Sequence, residues 1–355
     1  MEQLLDSTKY SKTLMKSDHN RVRPTIREVA ALSGTSIKTV SRVLNGVSTV
    51  DPALVKKVES AIKKLNYRRN ATAGSLRRVD GRTNTIGILL KDIANPFSSA
   101  LYRAFENLAR IEGVDVLAGS MDERPEREAE LISTFIARRV DGLIIVPTTI
   151  DHAYLETERK SGMPFVFIDR PANNFVADTV VASNRKSGRA ATEHLIKQGH
   201  KKIAYLGDAQ SIYTAAERFA GYKDALKAAG IPVEKRLIYH GVEDRASLEK
   251  FITDLVSNRE HPTAIFSSQN FVTIEALRVL RRAGLEKRIA LVGFDDLDFA
   301  DLVTPGITLV TQDIPKMAQI ASTLLFERLQ GKKSAAEYHE IETIFTQRGS
   351  GEIKA

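Results

Sequence analysis

Between Thr25 and Asn45 the chain reads TIREVAALSGTSIKTVSRVLN, and its apolar positions form two short helical stripes. Ile26, Val29 and Ala30 fall at i, i+3, i+4, and Val40, Val43 and Leu44 repeat that spacing after a break at Gly34-Thr35-Ser36. Thr25 with Glu28 three residues on is a capping-box pattern, and Ser36 is placed to cap the second helix. A third helix is predicted after Asp51 as N-cap, with Pro52 in its first turn and Leu54, Val58, Ala61, Ile62 and Leu65 facing inward. Three short amphipathic helices have to share one small core. At 100° per residue, Lys38, Ser41, Arg42 and Asn45 lie opposite that core, with Ile37 at the boundary.

From Thr85 the rhythm changes to short apolar runs alternating with helical segments, the mark of βαβ units. The runs are TIGILL (Thr85 to Leu90), VDVLAG (Val114 to Gly119), GLIIVP (Gly142 to Pro147) and PFVFID (Pro164 to Asp169). After Asn184 a second series begins: KIAYLG (Lys202 to Gly207), RLIYHG (Arg236 to Gly241), AIFSS (Ala264 to Ser268) and IALVGFD (Ile289 to Asp295), with a later TLVTQD ending in Gln312 and Asp313. Unbroken apolar runs predict parallel strands buried on both faces. Two successive series predict two doubly wound lobes with a cleft between them.

In such sheets ligands meet the carboxyl ends of the strands. The residues just past the runs are Lys91 and Asp92, Asp169-Arg170, Ser268-Gln269-Asn270, Asp295-Asp296, and Gln312 with Asp313. Taken singly, each reads as a helix cap or a surface residue. Taken together at one cleft, carboxylates, amides and guanidinium groups suit a polyhydroxylated small molecule, and sugars fit best. Asp295 and Asp296 are adjacent, so on a strand they would point to opposite faces, which does not suit paired acid/base work. Lys91 at the cleft edge weighs toward an acidic or phosphorylated ligand, against the plainer reading of a snorkelling surface lysine.

Charge is segregated. Residues 1–82 hold 17 Lys+Arg against 7 Asp+Glu, a net of +10, while residues 83–355 hold 35 against 37, so the overall +8 comes from the N-terminal part. That is the footprint of a polyanion-binding module, because neutralised phosphates release counterions. The helical segment offers one aromatic, Tyr67, and no stacking platform for RNA, and its apolar faces are needed for its own core rather than a membrane. With 355 residues, 43% of them hydrophobic, the chain is long enough for two or three domains with cores of their own.

Cysteine is absent, no apolar run approaches a membrane span, and the start lacks a signal-peptide pattern, so the expectation is a cytoplasmic protein. No P-loop, GxSxG or HExxH occurs, and the histidines at 19, 152, 194, 200, 240, 261 and 339 lack ligand spacing and read as surface or capping residues. No catalytic residue, cofactor or metal is expected, and neither a sugar-binding receptor nor a two-lobed kinase or isomerase has its motif here.

TIREVAALSGTSIKTVSRVLNG, LNYRRNATAGSL, IANPF, RRVDGLI, IDRP, ATEHLIKQGHKKIAYLG, ERFAGYKDAL and LVGFDD resemble, in order, the lactose-repressor/galactose-repressor family of bacterial transcription regulators. The resemblance runs from Thr25 to about Gly349. It implies an N-terminal all-α helix-turn-helix domain followed by an α/β, two-lobed, periplasmic-binding-protein-like core. The family acts as homodimers on near-palindromic double-stranded operator DNA, most often as repressors, under control of a small effector.

Carried over residue by residue, it puts Ile37, Lys38 and Arg42 at major-groove reading positions, with Thr25, Ser36, Thr39, Ser41 and Asn45 mainly on phosphates. It makes Asn70 to Arg78 a hinge helix with Leu76 as minor-groove wedge and Ala73 beside it, and Gly74 there departs from relatives with a longer residue. For the effector it indicates Asn95, Phe97, Asp169, Arg170, Arg218, Gln269, Asp295 and Gln312. Departures at Gln269-Asn270 and Ser183 leave a nucleoside, sugar phosphate or acidic metabolite as alternatives to a sugar, and a two-lobed sugar-binding protein without a regulatory role as the other rival. The expected division is an extension over 1–23, the helix-turn-helix domain over 24–69 and the hinge over 70–82. The core over 83–355 is expected to have a first lobe of about 83–182 and 314–337 and a second of about 183–313 and 338–355.

Overall fold

A computed structural model describes residues 24–68, 81–148, 151–241 and 245–355. The chain divides between Arg82 and Thr83 into two compact units. The hinge positions Ala73, Gly74 and Leu76 lie outside the described residues.

The N-terminal unit is built from helices Ile26–Ser33, Ile37–Leu44 and Pro52–Leu65. The first starts on a full capping box, with the Thr25 and Glu28 side chains each bonded to the other's backbone N–H. It stops at Gly34, whose φ of 63° a left-handed helix C-terminus asks of glycine. Ser36 caps the second helix by accepting from Thr39 N at 3.0 Å, and Asp51 caps the third. Val29, Ala30, Val40, Val58 and Ala61 form the core, with Ile26, Val43, Leu44, Ile62 and Leu65 packed around it. The predicted inward stripes are the ones buried.

Among the described residues the body holds twelve strands: β1 (Thr85–Leu90), β2 (Asp115–Ser120), β3 (Gly142–Ile145), β4 (Phe165–Ile168), β5 (Asp178–Ala182), β6 (Ile203–Gly207), β7 (Ile238–His240), β8 (Ala264–Ser267), β9 (Ala290–Phe294), β10 (Thr308–Thr311), β11 (Tyr338–Ile341) and β12 (Ile344–Thr346). They form two six-stranded sheets of matching order, β11-β5-β4-β3-β1-β2 and β12-β10-β9-β8-β6-β7. All pairings are parallel except β10 with β12. The inner strands are buried on both faces, as the unbroken apolar runs required.

The chain passes between the sheets three times: after β5, after β10 and after β11. After β10, helix Ile314–Leu329 returns to the first sheet and lays Met317, Ala318, Ala321 and Leu325 into its core.

Several expectations need correcting. Residue 338 was placed at the return to the second lobe, but Tyr338–Ile341 is still an edge strand of the first sheet, so the return comes after Ile341. Strand β5 was not anticipated, because it opens on a charge. Asp178 is nevertheless buried, since Arg328 meets it with a fork at 2.7 and 2.8 Å. Asp295 does not lie on a strand: β9 ends at Phe294 and Asp295 turns to a φ of 67°. His152 and His200 are core residues rather than surface ones. His152 bonds Glu128 at 2.8 Å and accepts from Asn173 N, and His200 bonds Thr263 and the Ile353 carbonyl. Each buried imidazole thus has both nitrogens engaged, as burial demands. Among the described residues no helix is long and apolar enough to cross a membrane, and no cluster of side chains is placed to hold a metal ion.

Candidate DNA-reading helix and ligand cleft

Packing Val40 into the core turns the other side of helix Ile37–Leu44 outward. Ile37, Lys38, Arg42 and Asn45 are exposed, Ile37 by 42%, while Thr39 and Ser41 are half-buried. Arg42 donates through Nη2 to Thr49 Oγ1 at 2.7 Å, which steadies the guanidinium on the outward face. Thr25, tied to Glu28, and Ser36 serve first as caps, and the Thr39 hydroxyl lies 2.9 Å from that of Ser36.

In the body, all eight residues expected at the effector site line one cleft, together with Lys91, Ser98, Val146, Asp208 and Thr214. About 440 Å³ of atom-free space lies within it, part of it open solvent.

The internal repeat explains the convergence. Asp169 follows β4 and Asp295 follows β9, at equivalent places in the two sheets. Both are left-handed, with φ of 70° and 67°, and both donate their N–H to the next strand, to Val180 O and Val310 O, at 2.9 Å. That conformation is uncommon outside glycine. The cross-strand hydrogen bond holds each carboxylate at the end of its sheet.

Arg218 arrives by a different route. Helices Asn184–Lys197 and Tyr213–Ala228 cross so closely that a Cβ at Gly188 would strike the Arg218 carbonyl, and one at Gly221 the Arg185 carbonyl. Glycine at both points permits the crossing. It brings Arg218 Nε to Asn184 Oδ1 at 2.8 Å and Nη1 to the Ser268 carbonyl at 2.7 Å, with the guanidinium 3.6 Å over the Phe294 ring.

Arg170 is committed elsewhere. It grips Glu123 with a fork at 2.9 and 2.7 Å and reaches the Pro147 carbonyl. Burial opposes the charge on Glu123, but Arg170 and Lys91 outweigh it and hold the carboxyl below its ordinary value. Burial lifts Asp169 above its ordinary value; Arg170 and Arg218 oppose this, and the charges of Asp295 and Glu123 add to it.

Within the second lobe, at the ends of neighbouring strands, Gln312 donates to Asp295 Oδ1 at 2.8 Å. The amide oxygens of Gln312 and Gln269 are buried without a hydrogen-bond partner, which in a native interior calls for an explanation. Asn95 caps helix Pro96–Ile111 and exchanges amide bonds of 3.3 and 3.1 Å with Asn270 of the other lobe.

Four lining residues were not anticipated: Ser98, Val146, Asp208 and Thr214. Asp208 was open to the rule that found the others, since it is the first residue past the run KIAYLG. Glu123, just behind the cleft, follows no run and carries no local signal.

Sequence profiles for two parts of one family match the chain. "Bacterial regulatory proteins, lacI family" covers residues 25–70, and "Periplasmic binding proteins and sugar binding domain of LacI family" covers residues 83–349. The HTH-type transcriptional regulator GalR of Escherichia coli (strain K12) is 33% identical over 302 residues, 84% of this chain and 88% of GalR. Among solved structures, the lac repressor dimer bound to operator and the anti-inducer ONPF is 25% identical with a TM-score of 0.80, covering 93% of this chain and 99% of that one. A complex of the transcriptional regulator CelR with cellobiose is 29% identical with a TM-score of 0.68, covering 92% and 100%. With a DNA-binding head and a sugar-binding-type body both matched, this chain belongs to the LacI family of bacterial regulatory proteins and is a DNA-binding transcriptional regulator, not an enzyme.

Proposed function

We propose that this regulator is a cytoplasmic repressor that binds a near-palindromic operator as a homodimer and is controlled by a sugar in the cleft. The observation that carries the DNA half is the division of helix Ile37–Leu44 into a face buried on Val40 and an exposed face bearing Ile37, Lys38 and Arg42. Arg42 exchanges its Thr49 partner for a guanine edge, a bidentate contact, while Lys38 and Ile37 read neighbouring positions. Thr25, Ser36, Thr39, Ser41 and Asn45 set the helix against phosphates, and the hinge with Ala73 and Leu76 engages the minor groove.

The ligand half rests on Asp169 and Asp295 meeting in one cleft with Arg218 and two unsatisfied amide oxygens. A polyhydroxyl ligand brings the donors those oxygens lack and the vicinal hydroxyls that a carboxylate grips in pairs. Cellobiose in CelR is a precedent for such a ligand on this fold. Binding shifts the relative orientation of the lobes and, through it, operator affinity, to the extent that the two states differ in ligand affinity.

Arg42→Ala tests the reading. With operators selected from random duplexes, affinity should fall about 10- to 100-fold, with preference relaxed at one base pair of each half-site. Equal loss on all sequences would make Arg42 a phosphate contact and sink the groove-reading assignment.

A further inference from the structure

Lys91 and Asp208 occupy equivalent places, each the first residue past the first strand of its lobe's series, β1 and β6. They meet across the cleft, with Lys91 Nζ 3.6 Å from Asp208 Oδ2 and 3.7 Å from Glu123 Oε1. The side chains are 26%, 17% and 19% exposed, so this ion cluster sits inside the rim rather than in free solvent. Both distances exceed the roughly 2.7–2.9 Å of a charge-assisted hydrogen bond, so the ammonium is shared between two carboxylates rather than docked on one.

The rest of the cleft has the same bias. Arg170 is spent on Glu123, and Arg218 is close enough to Asp169 for their charges to interact. Counting Glu123 behind the lining, three cations face four carboxylates: Asp169, Asp208 and Asp295 complete the set. Two of the three unsatisfied polar atoms on the cleft lining point the same way, since the Gln269 and Gln312 oxygens accept hydrogen bonds and repel a second acceptor; the third, the donor Arg170 Nε, already faces the Asp169 carboxylate at 3.3 Å.

We infer that Asp208, with Glu123, is a specificity determinant: it holds Lys91 away from the ligand, so that the cleft admits an uncharged sugar and turns away phosphorylated or acidic ones. This rests on the cleft being the effector site as proposed above, and it removes the sugar phosphate that Lys91 alone would suggest. A phosphate or carboxylate at the rim has to take Lys91 from two carboxylates and then lie beside both. A neutral hydroxyl compound leaves the cluster intact.

The test is a thermal-melt series on the full chain with inorganic phosphate at 10 mM against chloride of equal ionic strength. The wild type should show no shift specific to phosphate. Asp208→Asn, close to isosteric, releases Lys91 and should gain a rise of about 2 °C by mass action. The same variant carrying Lys91→Met as well should lose that rise, which separates the rim from phosphate bound at the basic head.

In parallel, glucose, galactose, ribose and cellobiose are compared with glucose 6-phosphate, galacturonate and ribose 5-phosphate. For any pair that binds, the wild type should prefer the neutral member, and Asp208→Asn should move the ratio toward the anion about tenfold. A wild type stabilised by phosphate through Lys91, or Asp208→Asn no more responsive than the wild type, overturns the inference. Failure of all the neutral sugars would overturn the sugar reading above, while the phosphate series still decides the role of Asp208.

Discussion

The two lobes follow one strand order and end at one cleft, yet they hold their cleft residues by opposite chemistry. In the first, the cations are answered by carboxylates: Arg170 forks onto Glu123 and Lys91 lies between Glu123 and Asp208. In the second, Arg218 is held by neutral acceptors, an amide oxygen and a main-chain carbonyl, over an aromatic face. Two bonds leave donors of a five-donor guanidinium to spare. A shared topology thus fixes where side chains arrive and not what they are free to do. The first lobe's arginine is a strut, and the second lobe's keeps donors for the ligand proposed for the cleft.

Replacing each arginine by Met is the strongest way to break this comparison. Arg170→Met leaves the largely buried Glu123 with Lys91 alone at 3.7 Å, takes the guanidinium from Asp169 and strands the Pro147 carbonyl, and should cost about 3–5 kcal/mol of stability in urea unfolding, as removal of one partner of a buried pair does. Arg218→Met strands two neutral acceptors and withdraws a countercharge, not a hydrogen-bonded fork, from Asp169; it should cost about 1–3 kcal/mol, while the proposed ligand response of operator binding disappears. If Arg170→Met were the milder in unfolding, or Arg218→Met kept the ligand response, the roles assigned to the two lobes would be wrong.

A weaker effect separates them by pH. Glu123 is depressed in the folded state, so its contribution is present above the ordinary glutamate value of about 4.3 and is lost as pH falls through the lower folded value. Glu123→Gln should therefore flatten the acid limb of a stability-against-pH curve below about pH 4.3. An unchanged acid limb would mean that the Arg170 fork contributes nothing ionic.

Much of this was legible from residues alone, and what was not has physical causes. The helical head could be read from Thr25, Glu28, Ser36 and Asp51, because capping is local chemistry. Eight cleft residues could be placed because strand ends in doubly wound sheets are predictable and because the motifs around them resemble a known family. Strand β5 was hidden because Asp178 is tolerated in the interior through Arg328, 150 residues away, and the Glu337 N–H, 159 residues away. Glu123 was hidden for the same reason: its meaning depends on Arg170, 47 residues on. Asp208 was missed although the strand-end rule pointed to it. Gly188 and Gly221 look like flaws in two helices until the backbones are seen to touch. Long-range pairing, not local propensity, is what the pattern of apolar positions leaves out.

The smallest effect bears on the paired aspartates, which the repeat places alike and the surroundings treat differently. Asp295 is met by the Gln312 amide, whereas Asp169 has Arg170 Nε at 3.3 Å and a carboxyl that burial lifts above its ordinary value. An acid raised in the folded state costs stability that grows as pH rises from its unfolded value, about 3.9, toward its folded one, and the cost persists above that. Asp169→Asn removes that cost, so the ligand-free protein should melt slightly higher than the wild type at pH 7. The gain should shrink as pH falls from there toward the unfolded value, as the wild-type acid takes up its proton. Asp295→Asn, which leaves an oxygen for Gln312 to donate to, is the comparison at the equivalent place in the other lobe. Equal and pH-independent shifts for the two variants would mean that the lobes treat their aspartates alike, and the contrast would rest on the arginines alone.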